Sequence, residues 1–204
     1  MTIHAELILK GGTVVNHDGV AQRDIALAGG RILGLGSYGS AQAGEVVDCT
    51  GLHILPGVID SQVHLREPGA EHKEDLETGG RAAVMGGVTG VFEMPNTSPL
   101  TTSAETLADK VRRATNRMHC DFAFFMGGTR ENAHELGELE RLPGCAGVKV
   151  FMGSSTGALL VEDDGGVAAI LKNIRRRASF HSEDEFRLND RKHLRVEGDP
   201  ASHY

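Results

Sequence analysis

Residues 5 to 50 alternate short apolar runs with turn signals. Leu7-Ile8-Leu9, Thr13-Val14-Val15, Ile25-Ala26-Leu27, Ile32-Leu33-Gly34-Leu35 and Val46-Val47 read as strands. Asn16-His17-Asp18-Gly19 and Gly29-Gly30 supply turns that tolerate positive φ. The pattern predicts a small β-meander, too thin to be stable unless it packs against something else. The style of the chain changes near residue 52. Buried-type strands are predicted at residues 54–64, 88–94, 122–126, 148–152 and 179–181, with amphipathic segments between them. A helix is expected over 74–85. A second opens at Thr102, which makes a capping box with Glu105, and carries Leu107, Val111, Ala114 and Met118 on one face. Val167, Ile170, Leu171 and Ile174 mark a third.

Repeated strand-then-helix units imply a parallel sheet with helical cover. An eight-stranded barrel takes about 250 residues, so five such strands in 204 residues form either an open sheet or a barrel that the chain does not finish. An open sheet leaves two edges unpaired, which predicts poor solubility or self-association.

Composition narrows the partners. The formal net charge is −7, and no stripe of Lys and Arg interleaved with aromatics provides the basic footprint that nucleic acid needs. The one basic cluster, Arg175-Arg176-Arg177, falls at a predicted helix end, where cations suit the dipole. No apolar run approaches the roughly 20 residues of a membrane span, and the N-terminus lacks the layout of a signal peptide. Cys49, Cys120 and Cys145 show no C-x-x-C spacing, so reduced cysteines and a cytoplasmic setting are expected.

Four segments carry chemistry. In the run from Asp60 to Gly69, strand alternation puts Asp60, Gln62 and His64 on one face, like the mouth of a barrel strand; a polar face turned to water is the equal alternative. Lys149 stands within Gly147-Val148-Lys149-Val150-Phe151, where desolvation of an ammonium is costly. A lowered pKa would leave a neutral amine able to capture carbon dioxide as a carbamate. Snorkelling out of the strand end is the plainer explanation. His181 ends another strand with Glu183 and Asp184 behind it, an arrangement suited to orienting a zinc ligand. Asn96, in Met94-Pro95-Asn96-Thr97, can hydrogen-bond a substrate amide or carboxylate, or simply make a turn.

Together these segments resemble the amidohydrolase superfamily and, within it, dihydroorotase. The likeness runs from Leu7-Ile8-Leu9-Lys10-Gly11-Gly12 through Leu55-Pro56-Gly57-Val58-Ile59-Asp60 to Glu197-Gly198-Asp199-Pro200. Its most specific parts are His64-Leu65-Arg66-Glu67-Pro68-Gly69, Met94-Pro95-Asn96-Thr97, and the run from Lys149 to Gly157. The resemblance implies an α/β chain: a small β-sandwich portion over residues 1–51, then a partial (β/α)8 TIM-type barrel of about five strands over 52–204. It implies one or two zinc ions and the reversible hydrolysis of dihydroorotate to N-carbamoyl-aspartate in pyrimidine biosynthesis. By position, His64 is a zinc ligand, Lys149 bridges the metals as its carbamate, and His181 is a further ligand. Some relatives use a carboxylate near an Asp-Asp-Gly instead, and Asp163-Asp164-Gly165 is present here.

Arg66 and Asn96 match the residues that hold the substrate carboxylate, which argues against an allantoinase-like or hydantoinase-like hydrolase. Two departures stand out. Gln62 replaces the first histidine of a paired His-x-His, and a carboxamide oxygen is a poor zinc ligand. The aspartate expected as general acid/base, and the family's later histidine ligand, are expected beyond Tyr204, so this chain alone is expected to be inactive. A homo-oligomer, or a non-catalytic assembly role beside aspartate transcarbamoylase, completes the set of expected partners.

Overall fold

The structure, a computed structural model, describes residues 4–39, 43–155 and 157–199. Thr156 and residues 200–204, including Pro200 and Tyr204 of the motifs above, lie outside the described residues. The chain divides into two compact units, residues 1–57 and 58–204.

The first unit is one five-stranded sheet. β1 (Ala5–Asn16) pairs antiparallel with β2 (Gly19–Ala28), which pairs antiparallel with β3 (Arg31–Gly36). Gly19, at φ 120°, closes the first hairpin as its turn residues suggest. The expected strands at Leu7 and Thr13 are one strand, interrupted by a bulge where Gly11 adopts φ 73°. Asp24 stabilises that bulge by accepting the Gly11 and Tyr38 amides, each at 2.8 Å. The meander expectation fails at the next strand. β4 (Ala43–Asp48) and β5 (His53–Ile54) return to the free edge of β1 and run parallel to it. Hydrophobic alternation marks strands but carries no information about which edge they join. A small core of Ala5, Ile8 and Ala26 lies beneath.

The second unit opens with β6 (Val58–Val63), so the predicted strand 54–64 is split at Pro56-Gly57 between two sheets. There follow α1 (Leu76–Met85), β7 (Val88–Glu93), α2 (Ala104–Ala114), β8 (Asp121–Gly127), the single turn α3 (Leu136–Leu139), β9 (Cys145–Phe151), α4 (Asp164–Asn173), β10 (Ala178–His181) and α5 (Glu185–Arg191). The five strands form a parallel sheet in the order β10-β9-β8-β7-β6, a curled half-barrel. Its core is built from Leu76, Val91, Phe124, Met126, Val148 and Ile170, joined by Leu107 of α2. Exposed Val58 and Ile59 lie on the edge strand β6.

Helix starts follow cap chemistry. Asp75 makes a capping box with Thr78, and Asp163 accepts the Gly166 amide. α2 begins one residue later than expected: Ser103, reciprocated by Thr106, is its cap. The Thr102 carbonyl instead accepts from Asn132 Nδ2 at 2.9 Å. α2 also ends at Ala114, and Met118 reaches the core from the following turn. Among the described residues no helix is long and apolar enough to cross a membrane.

His64 and Asn96 lie just beyond β6 and β7, His181 ends β10, and Lys149 sits in the C-terminal half of β9, all toward one end of the sheet because its five strands run parallel. At the opposite end, Gly147 sustains φ +140°, and a Cβ there would lie 2.4 Å from the Arg177 carbonyl oxygen. Gly147→Ala is therefore expected to cost roughly 2–3 kcal/mol, read as a lowered urea midpoint.

Candidate functional site

The site is assembled from strand ends. His64 directly follows β6, and the Met94 amide donates to the Val63 carbonyl at 3.0 Å, so the ends of β6 and β7 are tied together. The simple alternation expected for Asp60, Gln62 and His64 does not hold. The β6–β7 register shifts between Asp60 and Val63, and Asp60 Oδ1 turns back to accept the Gln62 amide at 3.0 Å. Gln62 is exposed. A bulge of this kind is decided by neighbouring strands, not by the local pattern.

His64 is half-buried. Burial lowers its pKa below 6.5, and the positive charges of Arg66, Lys149 and Lys110 push the same way. The Asn96 carboxamide lies close enough to oppose them, although its Oδ1 is buried without a hydrogen bond of good geometry. The imidazole is thus kept neutral, the form that ligates a cation.

Lys149, on β9, is 1 % exposed. Its ammonium makes no hydrogen bond or ion pair with any described residue and faces the Phe151 ring, 5.1 Å from the centroid. Burial alone lowers its pKa. The snorkelling alternative is excluded by this burial. The same Phe151 ring stacks on His181, at 5.8 Å and 29°. His181 Nε2 lies 2.9 Å from Glu183 Oε2, and no described residue hydrogen-bonds its Nδ1. The chain thus places Lys149 within electrostatic reach of His64 and, through Phe151, beside His181.

Asp163 is committed elsewhere: it caps α4 and pairs with Arg130. With Asp164, Glu162 and Glu183 it lines a separate acidic cavity of about 690 Å³. Among the described residues no three His, Cys, Asp or Glu side chains converge to hold a metal. The donors present fit a cation only if Lys149 joins His64 and His181 as an anion. The exposed Gln62 adds no strong ligand.

Arg66 and Asn96 line one cavity of about 300 Å³ with Lys73, Thr97 and Ser98. The Arg66 guanidinium has no hydrogen bond or ion pair with a described residue, and the buried Asn96 Oδ1 is unsatisfied. Together they form a polar pocket awaiting a partner. Lys73 was not anticipated from the sequence.

Nor was the buried pair beneath this pocket. Glu93, the last residue of β7, pairs with Lys110 of α2, and both are about 1 % exposed. Lys110 Nζ also donates to the Met94 carbonyl at 3.0 Å. Burial pushes Glu93 up to about 7 and Lys110 down, so each charge survives only through the other. The signal was legible: Lys110 interrupts the apolar stripe of Leu107, Val111 and Ala114.

These features can be set beside known proteins. A family model described as dihydro-orotase-like matches residues 51–150. An allantoinase of Deinococcus radiodurans is 37 % identical over 151 residues, covering 74 % of this chain and 34 % of that protein. An allantoinase of Salmonella newport is 39 % identical over 148 residues, covering 72 % and 32 %. The L-hydantoinase (dihydropyrimidinase) from Arthrobacter aurescens superposes with a TM-score of 0.86 at 27 % identity, covering 93 % of this chain and 44 % of that one. The chain belongs to the cyclic amidohydrolase superfamily.

This amidohydrolase chain spans about a third of the length of the curated relatives it matches. A D-hydantoinase (dihydropyrimidinase) from Thermus also superposes, with a TM-score of 0.75 at 26 % identity over 92 % of this chain and 42 % of that one. The relatives carry the names allantoinase and hydantoinase, so the narrower reading as a dihydroorotase does not follow from them.

Two outcomes test the site's electrostatics. Lys110→Met, which strands a buried carboxylate, is expected to cost about 3 kcal/mol. The double variant with Glu93→Met should recover most of that loss, read from urea midpoints. In metal-free protein, nitrogen-detected NMR should find His64 titrating below 6.5. Because the folded-state value is depressed, the stability tied to His64 is complete above 6.5 and falls away as pH drops below it.

Proposed function

We propose that this chain supplies the metal-binding part of a site that hydrolytically opens a cyclic amide or ureide ring, of the allantoin or hydantoin kind. One observation carries the proposal: a buried Lys149, without a partner among the described residues, in electrostatic reach of His64 and facing the Phe151 ring on which His181 stacks. A neutral Lys149 Nζ adds to carbon dioxide and releases a proton, giving a carbamate anion. His64, the Lys149 carbamate and His181 through Nδ1 would then hold a zinc ion. When bound, that ion would supply Lewis acidity toward a ring carbonyl and acidify a water near neutral pH. With glutamine at position 62, one ion is expected to bind more firmly than two.

The protein's own residues do the remaining work. Glu183 holds His181 Nε2 and so fixes which nitrogen faces the cation. Burial of Lys149 favours the neutral amine, against the cation–π attraction of the Phe151 ring. Arg66 and Asn96 orient the ring at the pocket they line.

That pocket favours a second reading, in which the ring carries a carboxylate, as dihydroorotate does. The Arg66 guanidinium, which has no partner among the described residues, suits a carboxylate, while the unsatisfied Asn96 Oδ1 accepts and so suits a ring N–H beside it.

The test uses the full product of the gene, with metal analysis, carbon-13 carbon dioxide NMR and assays on allantoin, hydantoin and dihydroorotate. Stoichiometric zinc, a carbamate signal and turnover of one ring are expected, and Lys149→Ala should lower both zinc content and turnover at least a hundredfold. Full zinc and activity in Lys149→Ala would overturn the proposal. Turnover confined to dihydroorotate would select the second reading.

A further inference from the structure

We infer that Glu67, gripped from α2 and the turn after it, is a positioning residue that sets the conformation of Arg66. The inference rests on the reading of Arg66 as a ring-orienting group. Arg66 adopts φ 59°, a left-handed conformation that a long side chain adopts only when its surroundings impose it. The next residue, Glu67, is 4 % exposed. Both its oxygens are occupied: Arg117 Nη1 donates to Oε1 at 2.7 Å and Nη2 to Oε2 at 3.1 Å, a two-pronged guanidinium grip. The Leu76 amide at the start of α1 donates to Oε2 at 3.1 Å, and Arg113 Nη1 lies 3.6 Å from Oε1.

The grip is itself anchored. The Arg117 amide donates to the Ala114 carbonyl at 3.0 Å, and Asn116 takes φ 63° to turn the chain there. On the other side of Glu67, the Arg66 carbonyl accepts the Ala70 amide at 2.9 Å, and Pro68 accepts the Ser98 amide at 2.9 Å. Gly69 permits this approach, since a Cβ there would lie 2.5 Å from Ser98 Cβ. The loop carrying Arg66 is therefore clamped to the loop carrying Asn96, and Glu67 ties it by hydrogen bonds to the helical layer. The same face of α2 presents Lys110 to Glu93 and the Met94 carbonyl. Helix α2 thus sets the spacing between the two ring-orienting residues without either pair touching substrate.

The experiment compares Glu67→Gln, Arg117→Met and Arg117→Lys in the full gene product. Amide hydrogen exchange at Ala70, which reports the Arg66 turn, should quicken at least tenfold in the first two variants. Gly128, bonded to the Lys149 carbonyl in the sheet, should keep its protection. Arg117→Lys, which keeps charge but loses the fork, should fall between. In the same variants KM for the ring that the unaltered protein opens should rise about tenfold, with kcat changing less than twofold. Unchanged exchange at Ala70, or losses at Ala70 and Gly128 in equal measure, would refute the positioning role. If the unaltered protein opens no ring, the functional reading fails while the exchange comparison still decides the clamp.

Discussion

Lys149 is a buried ammonium that finds no counter-charge among the described residues, and burying such a group is costly unless the amine sheds its proton or gains a new anionic identity. The surrounding arrangement follows from that constraint. Phe151 offers the ammonium an aromatic face and stacks the same ring on His181; His64 follows β6 with its basicity reduced first by burial, then by Arg66 and, to a lesser degree, by Lys149. A purely structural lysine would have been paired or turned to solvent. The lack of a described partner links its burial to chemistry.

Around this centre, charges that look like faults in an apolar core serve as fasteners. Lys110 breaks the hydrophobic stripe of α2, yet it is the residue that holds the end of β7 through Glu93 and the Met94 carbonyl. Buried pairs of this kind are weak sources of stability, but they tolerate few alternative positions. The pair fixes where Asn96 begins. On the neighbouring loop, Glu67 does the equivalent for Arg66. The two side chains that line this pocket are held from α2 and the turn that follows it.

The comparisons broaden the chemical class that a motif reading narrows. Arg66 and Asn96 look selective for a carboxylate when read along the chain, yet relatives with 37–39 % identity carry the name allantoinase. A shared strand-end scaffold supports several ring substrates, since specificity depends on loops and pocket walls rather than on the metal-holding residues. The substrate is thus argued from the pocket and the superfamily from the fold.

Local patterns determined a good deal of this protein. Apolar periodicity and cap residues located the alternating strands and helices of the second unit, but the apolar strand around Lys149 favoured a snorkelling side chain, and the 1 % exposure came only with the packed sheet. His64, Asn96, Lys149 and His181 stood out along the chain as candidates, because polar residues at the ends of apolar runs are a one-dimensional signal, and Arg66 was added by its motif. Pairing was not legible. The parallel return of β4 to β1, the division of residues 54–64 between two sheets, and the register shift that disrupts the Asp60, Gln62 and His64 face depend on neighbours distant in sequence. So do the partners Glu67–Arg117, 50 residues apart, and Glu93–Lys110, 17 apart. Sequence specifies which residues must leave water; only tertiary packing decides which charges they meet there, because that choice is made by strand order and register and not by the chain's local periodicity.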